Sequence, residues 1–546
     1  MPNIVLILTD DQGYGDLGCH GNDKIMTPNL DQFYKESVRF KQFHASPLCS
    51  PTRASLMTGR YEHRSGVRAT LGGRSLMWPD EFTVAEIFSA AGYRTGIFGK
   101  WHLGDNYPLR AMDRGFQECL VHGGGGIGQT PDAWGNTYFN PVLCHNGRWK
   151  KFEGYCTNIF FDAALRFIEE NKDRPFLVYI PTNVPHTPLQ VDESYAKPYR
   201  EMGLTDDLAK FYGMITNIDE NVGRLINKLQ EINLENDTMV IFMSDNGGAT
   251  GVLHYNSGMR GQKGTVYEGG IRVPCFFRWP GTLNPKDVYS LAAHIDILPT
   301  LLDTCNIPKP VRTSFDGTSL LPLMLGEEVD WPDRTLFFQR GNIPDEQLYK
   351  NCAVLSRRYK LVNWTELYDI IADPGEMNNI ASENPDIVGH MCKMYEEWYR
   401  DVCAGLRDPV RIHLGSLREN PVLLTCHDWW NGPVWWRQDK IINIVETELE
   451  GNGYWEVDIK RSGRYEITLY KCHPQADRKL KTLKPGIARL KVGDVDVSQP
   501  IKEDAISVTF NITLNVGTAR LQAFLSGQRK DEKEVGAFFI EVKYLD

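Results

Sequence analysis

The chain has 546 residues, 42% of them hydrophobic and 24% charged, and its 60 basic and 70 acidic side chains leave a net charge of −10. That apolar share excludes a disordered or collagen-like chain, and the length allows a sizeable core without a disulfide scaffold. The acidic balance gives no general attraction to nucleic acid or anionic membranes, so an anionic ligand would need a local cluster of cations.

No run of about 18 apolar residues marks a transmembrane helix, and neither a membrane span nor a nucleic-acid partner is expected. No secretory signal is visible, because Met1-Pro2-Asn3 leads straight into an apolar run at 4–8. Apolar or β-branched runs at 4–9, 95–99, 176–181, 239–244 and 275–278 predict strands. Between them, periodicity at 29–38, 83–91, 157–171 and 206–231 predicts helices. Over residues 1–329 this alternation predicts α/β layers around a largely parallel sheet, with ligands beyond the carboxyl ends of its strands.

From 330 to 408, runs at 336–339, 353–356 and 359–363 predict a small antiparallel sheet, with a helix at 385–402 packed on it. From 409 to 546, short alternating runs at 454–459, 465–470, 488–492, 506–514, 519–524 and 537–542 predict a β-sandwich. Within it, Trp429-Trp430-Asn431-Gly432-Pro433-Val434-Trp435-Trp436 reads either as a sugar-stacking surface or as a seam between domains. The twelve cysteines contain no Cys-x-x-Cys pair, which argues against a zinc ribbon.

Four segments concentrate reactive side chains. Asp10-Asp11 and Asp245-Asn246 each follow a predicted strand, so both sets of oxygens point to one rim of the sheet and suit Ca²⁺ or Mg²⁺. Either pair alone would read as a cap or turn. Cys49-Ser50-Pro51-Thr52-Arg53 places Cys49 at a helix start, where the helix dipole and Arg53 favour negative charge. Lys100 and His102, one residue apart after a strand, would project to the same side in extended geometry and suit an oxyanion and a proton transfer. His186 and Lys263 match them in type.

Cys49-Ser50-Pro51-Thr52-Arg53 with Thr58-Gly59, and the segment 92–104, resemble the two signatures of type I sulfatases. The order of the residues just named, and the later Leu367-Tyr368-Asp369 and Asp373-Pro374-Gly375-Glu376, extend the resemblance over roughly residues 2–400. It implies an alkaline-phosphatase-like α/β fold with a large mixed sheet between helices, and bound Ca²⁺ in preference to Mg²⁺. It also implies a periplasmic or secreted location and a maturation enzyme that oxidises Cys49 to formylglycine. Carried over position by position, Asp10, Asp11, Asp245 and Asn246 bind the metal together with residue 49, and Arg53 orients that residue. Lys100 and Lys263 contact sulfate oxygens, His102 assists breakdown of a sulfated enzyme intermediate, and His186 protonates the leaving sugar oxygen.

Sugar recognition falls to loops, where the candidates are Arg110, Asp113, Arg114, His122, Trp134, His145, His254, Arg260 and Arg340. The Pro185-His186-Thr187-Pro188 context and the β-rich C-terminal addition resemble bacterial enzymes that desulfate polysaccharides and glycosaminoglycans. The implied substrate is a sulfated saccharide: a hexose or N-acetylhexosamine, of galactose type, within a glycan. Two other readings stand beside it. One is a phosphate or phosphonate monoester hydrolase of the same superfamily, the other a glycan-binding protein without catalysis.

Overall fold

A computed structural model describes the chain apart from residues 328–330, 332, 342–347, 405–408, 433–434, 448–450 and 529–533. The domain boundaries expected at 329/330 and at 408 lie outside the described residues, as do Pro433 and Val434 of the Trp-rich stretch.

Ten strands form one large sheet. Its centre is five parallel strands, in the spatial order Thr238–Ser244, Asn3–Thr9, Phe176–Pro181, Arg94–Lys100 and Glu118–His122. Every residue of the first three is buried, because helices cover both faces and leave no side for alternating polar residues. Cys156–Glu170 and Asp206–Glu231 pack on one face. Cys49–Thr58, Val84–Ala90 and Ile297–Thr304 pack on the other.

The expectation of a largely parallel sheet is corrected at the flanks. Cys275–Arg278 runs antiparallel to Thr238–Ser244, and Val142–His145 runs antiparallel to Glu118–His122. The link from Ser244 to Cys275 is long enough for a crossover, but it holds only short helical turns such as Glu268–Ile271 and no helix that packs across the sheet to return the chain in the parallel sense. The helix expected at 29–38 is Pro28–Lys35; Val38–Phe40 is a strand whose β-branched Val38 pairs with Phe277 on one side and Lys286 on the other.

Four antiparallel strands follow, Leu336–Gln339, Cys352–Leu355, Tyr359–Val362 and Glu366–Asp369, with helix Pro385–Cys403 sharing their core. Glu366–Asp369 escaped the sequence reading because it offers only two apolar residues. The strands beyond residue 409 make two facing sheets. One holds Ile412–Leu414, Trp455–Ile459, Gly517–Leu525, Gly486–Val492 and Val495–Ile501, with Val535–Gly536 on Gly517–Leu525. The other holds Val422–Thr425, Phe539–Tyr544, Gly463–Tyr470 and Val508–Leu514.

Their inner residues form a single core around Trp429 and Trp455, and Leu76, Trp78 and Leu109 from the first part of the chain join it. The Trp-rich stretch belongs to this seam. Trp429 is buried against Trp455 and Phe538, Arg74 lies over the Trp430 ring, and the Trp435 and Trp436 carbonyls accept from Thr130.

Candidate active site

The register sets the site. Thr9 pairs with Ser244 across parallel strands, so the residues that follow, Asp10-Asp11 and Asp245-Asn246, emerge together at one rim. All four are buried. Asp11 takes a left-handed backbone (φ 69°) that turns its carboxylate back toward Asn246, whose Nδ2 donates to Asp11 Oδ1 at 2.9 Å. Gly247 lets the second chain bend away, because a Cβ there would stand 2.0 Å from the Gly269 carbonyl oxygen.

Cys49 is the first residue of helix Cys49–Thr58, all ten residues of which are buried. One turn on, Arg53 directs one guanidinium nitrogen to Asp245 Oδ2 at 2.7 Å and another to the Lys100 carbonyl at 3.0 Å. Lys100, the last residue of its strand, donates to Asp10 Oδ2 at 2.8 Å. Lys263 closes the ring from the opposite side, with its ammonium 2.6 Å from Asp11 Oδ1 and 2.8 Å from Oδ2. His186 Nε2 stands 3.8 Å from Asp11 Oδ2, and its other ring nitrogen is held by the Thr187 carbonyl.

His102 departs from the expected geometry. It follows the strand end with a φ of 60°, so strand alternation no longer places it on the same side as Lys100. Its Nε2 lies 3.1 Å from the Thr70 carbonyl, while buried Nδ1 has no partner. Gly125 packs so closely that a Cβ would come 2.4 Å from His102 Cε1. Gly125→Ala must therefore displace the ring. We expect kcat to fall about a hundredfold with the unfolding temperature within a few degrees of wild type; an unchanged kcat would separate the ring's position from turnover.

The electrostatics separate the two acidic pairs. Burial, then the neighbouring Asp10 charge, push the Asp245 carboxyl up to about 6 against the pull of Arg53. Burial alone would raise Asp11 too, but Lys263, His186 and Asn246 outweigh it and hold it well below the usual carboxylate range. Burial and Lys263 push His186 down to about 4, and burial, Lys100 and His427 push His102 well below the ordinary imidazole value. The expectation that Cys49 sits where a thiolate is favoured is corrected. Burial pushes its thiol up, and Asp10 and Asp245 offset Lys100 and Lys263.

One set of donors fits a divalent cation. The ligand atoms of Asp10, Cys49 and Asp245 all lie within 4.8 Å of one another. Asp10 Oδ1 and Asn246 Oδ1 are buried without a hydrogen-bond partner. Orphaned oxygens on this scale are costly unless a cation takes them up, and a hard oxygen-rich set suits Ca²⁺ or Mg²⁺.

The loop candidates do not converge in the same way. Arg114, expected among them, is not available to a sugar: it is fully buried and spends its guanidinium on the Trp78 and Glu81 carbonyls and on Glu86. Arg110 is clamped to Asp113, Trp134 stacks on His473 of the sandwich, and His145 is bonded to Glu118. Arg260 lies over the Tyr267 ring and bonds Tyr368 and Glu366. His254 is exposed beside Tyr212. Arg340 lies against Gly264, next to Lys263, and buried His122 pairs in register with Lys100 on the neighbouring strand. Sequence reading missed His427, which arrives from the sandwich with its ring 6.3 Å from His102; no spacing links positions so far apart.

The Sulfatase family profile matches residues 2–307, and an N-sulphoglucosamine sulphohydrolase C-terminal profile matches 261–398. The chain belongs to the sulfatase family, and it is a sulfuric ester hydrolase. Human arylsulfatase A is 33% identical over 461 residues, spanning 71% of this chain and 85% of that protein. Dog N-acetylgalactosamine-6-sulfatase is 32% identical over 399 residues, spanning 67% and 72%. Among solved structures, Ps i-CgsB in complex with k-i-k-neocarrahexaose superposes with a TM-score of 0.67 at 29% identity, covering 73% of this chain and 93% of that one. An Agrobacterium radiobacter phosphonate monoester hydrolase, 21% identical with a TM-score of 0.54, shares the fold. The fold of this sulfatase is accordingly the alkaline-phosphatase-like one.

Proposed function

We propose that this sulfatase hydrolyses a sulfate ester on a galactose-type sugar of a sulfated glycan, using formylglycine made from Cys49 and a bound Ca²⁺. The observation that carries the reading is the ring of Lys100, Lys263 and Arg53 around a buried Cys49 and a buried oxygen-donor set. The choice of sugar draws on the N-acetylgalactosamine-6-sulfatase relative and on the structural relative solved with neocarrahexaose. A maturation enzyme and an extracytoplasmic location belong to the same proposal.

Asp10, Asp11, Asp245 and Asn246 would hold the cation with residue 49, and the cation would supply positive charge to the attacking oxygen. Hydrated formylglycine would offer two hydroxyls on one carbon, one to attack sulfur and one to release sulfate. The chain's own residues do the rest. Lys100, on Asp10, and Lys263, on Asp11, neutralise sulfate oxygens as negative charge builds. Arg53, locked by Asp245 and the Lys100 carbonyl, fixes the orientation of residue 49. His102 Nδ1 is free to take a proton because Nε2–H is given to the Thr70 carbonyl; His186 gives its Nδ1–H to the Thr187 carbonyl, so its Nε2, beside Asp11, serves the leaving oxygen as a donor only once it has itself taken up a proton.

The test is turnover by matured enzyme of 4-nitrophenyl sulfate, 4-nitrophenyl phosphate and a panel of monosulfated hexoses. Sulfate turnover far above phosphate turnover is expected; the reverse ranking would make this a phosphate or phosphonate monoester hydrolase. Chelation should remove activity and added Ca²⁺ restore it. Asp10→Asn with Asp245→Asn should weaken Ca²⁺ binding by calorimetry at least about a hundredfold, since two charged ligands are lost.

A further inference from the structure

A cavity of about 250 Å³ opens at the seam between the edge of the large sheet and the C-terminal sandwich. Asp105, Met112, Val121 and Trp149 line it from one side, and Leu423 and Asp428 from the other. It lies beside the catalytic centre described above. Asp105 is three residues beyond His102, and Asp428 adjoins His427, whose ring stands 6.3 Å from that of His102.

The polar inventory of the cavity is one-sided. Its cation is already spent: Arg110 is bonded to Asp113 through two nitrogens and stands 3.9 Å from Glu419. Asp105 gives one carboxylate oxygen to the Gly124 backbone N–H at 2.9 Å, and Asp428 gives one to His427 Nδ1 at 3.0 Å. The second oxygen of each has no hydrogen-bond partner among the described residues. Hydrogen-bond acceptors are thus left over beside apolar walls, and Trp149, 48% exposed, presents an indole surface.

Such a lining selects its occupant. Hydroxyl donors on a ring with an apolar face satisfy both the carboxylates and the indole, whereas a sulfated or carboxylated unit would meet two negative charges. The volume falls just below the roughly 300–1,000 Å³ of drug-sized pockets, which suits one ring rather than a length of chain.

We propose that this cavity is a subsite for an uncharged sugar ring adjoining the sulfated one, and that the sandwich supplies Asp428 as a specificity residue for it. The proposal rests on the reading of the substrate as a sulfated glycan. The sandwich then forms part of the substrate wall of the sulfatase.

The experiment uses the matured full-length enzyme, Asp428→Asn, which keeps the side-chain shape, and Trp149→Ala. Binding of uncharged disaccharides (lactose, galactobiose, cellobiose and chitobiose) is measured by calorimetry, and turnover is measured on 4-nitrophenyl sulfate and on monosulfated disaccharides. Wild type should bind at least one uncharged disaccharide, and each variant should bind it about tenfold more weakly. The ratio of disaccharide to aryl-sulfate kcat/KM should fall by a similar factor, with unfolding temperatures confirming that both variants fold. Absence of binding at millimolar saccharide, equal binding by the variants, or equally tight binding of a disaccharide sulfated on the adjoining ring would each overturn the subsite. A failure of the sulfatase reading shows separately, as matured wild type that does not hydrolyse 4-nitrophenyl sulfate while the binding arm remains readable.

Discussion

Cys49→Ala should abolish turnover by matured preparations, lowering kcat by about 10⁴-fold or more, while the unfolding temperature moves only slightly. The side chain is small, so its loss leaves little cavity, but it sits at the one point where Asp10, Asp245, Lys100 and Lys263 all exert their charge. Mass spectrometry of protein made with a maturation enzyme should find residue 49 lighter than cysteine, whereas ordinary thiol oxidation adds mass. Cys49→Ser sharpens the comparison. A single hydroxyl can accept sulfate once, with the alcohol leaving, but has no second oxygen to expel it, so one equivalent of product and a sulfated chain are expected. Steady turnover by either variant would remove residue 49 from the mechanism.

Lys360→Met is expected to cost about 3–5 kcal/mol of stability, because it strands two buried carboxylates. Lys360 is fully buried, with its ammonium 2.9 Å from Glu268 and 2.8 Å from Glu376. Glu268 also meets His44 at 3.2 Å, and its backbone N–H donates to Glu376 Oε2 at 2.7 Å. This network ties the small antiparallel sheet to the segment just after Lys263, so a loss of activity should accompany the loss of stability.

The variant also carries a pH signature. Without Lys360 the two carboxyls have folded pKa values raised by burial and mutual repulsion above the unfolded value of about 4.3. Groups raised in this way contribute stability that is present below the unfolded pKa and lost as pH rises through the folded one. The deficit of Lys360→Met relative to wild type should therefore shrink toward pH 4 and be largest near neutrality, as read by urea unfolding across that range. Glu376→Gln added to Lys360→Met should recover part of the loss. A deficit that does not vary with pH would mean that the network is held by packing rather than by charge.

The same network explains a motif that carried the family resemblance without a stated role. In Asp373-Pro374-Gly375-Glu376, the Asp373 carboxylate accepts the Met377 and Asn378 N–H groups, and Glu376 is delivered to Lys360. Its work is structural. The sequence reading could name the motif but could not place its partner, because Lys360 looks like any lysine on the solvent side of a strand until the fold buries it.

By itself the sequence determined the strands that place Asp10, Asp245, Lys100 and His186 after their carboxyl ends, since fully apolar runs bounded by polar turns follow local rules. It also determined part of the chemistry on offer, because Cys49 and Arg53 stand in one contiguous motif. Three things waited for the tertiary structure. The antiparallel flanks depend on whether a connection forms a helix that crosses the sheet, and periodicity within a strand says nothing of direction. The burial of Arg114 and the clamping of Arg110 depend on partners elsewhere in the chain. The approach of His427 and Asp428 to His102 crosses more than 300 residues, and it exists only because two separately formed sheets share one core with the loop after the first signature. Local pattern encodes which side chains a strand presents; which of them meet is decided by packing between elements that no short window contains.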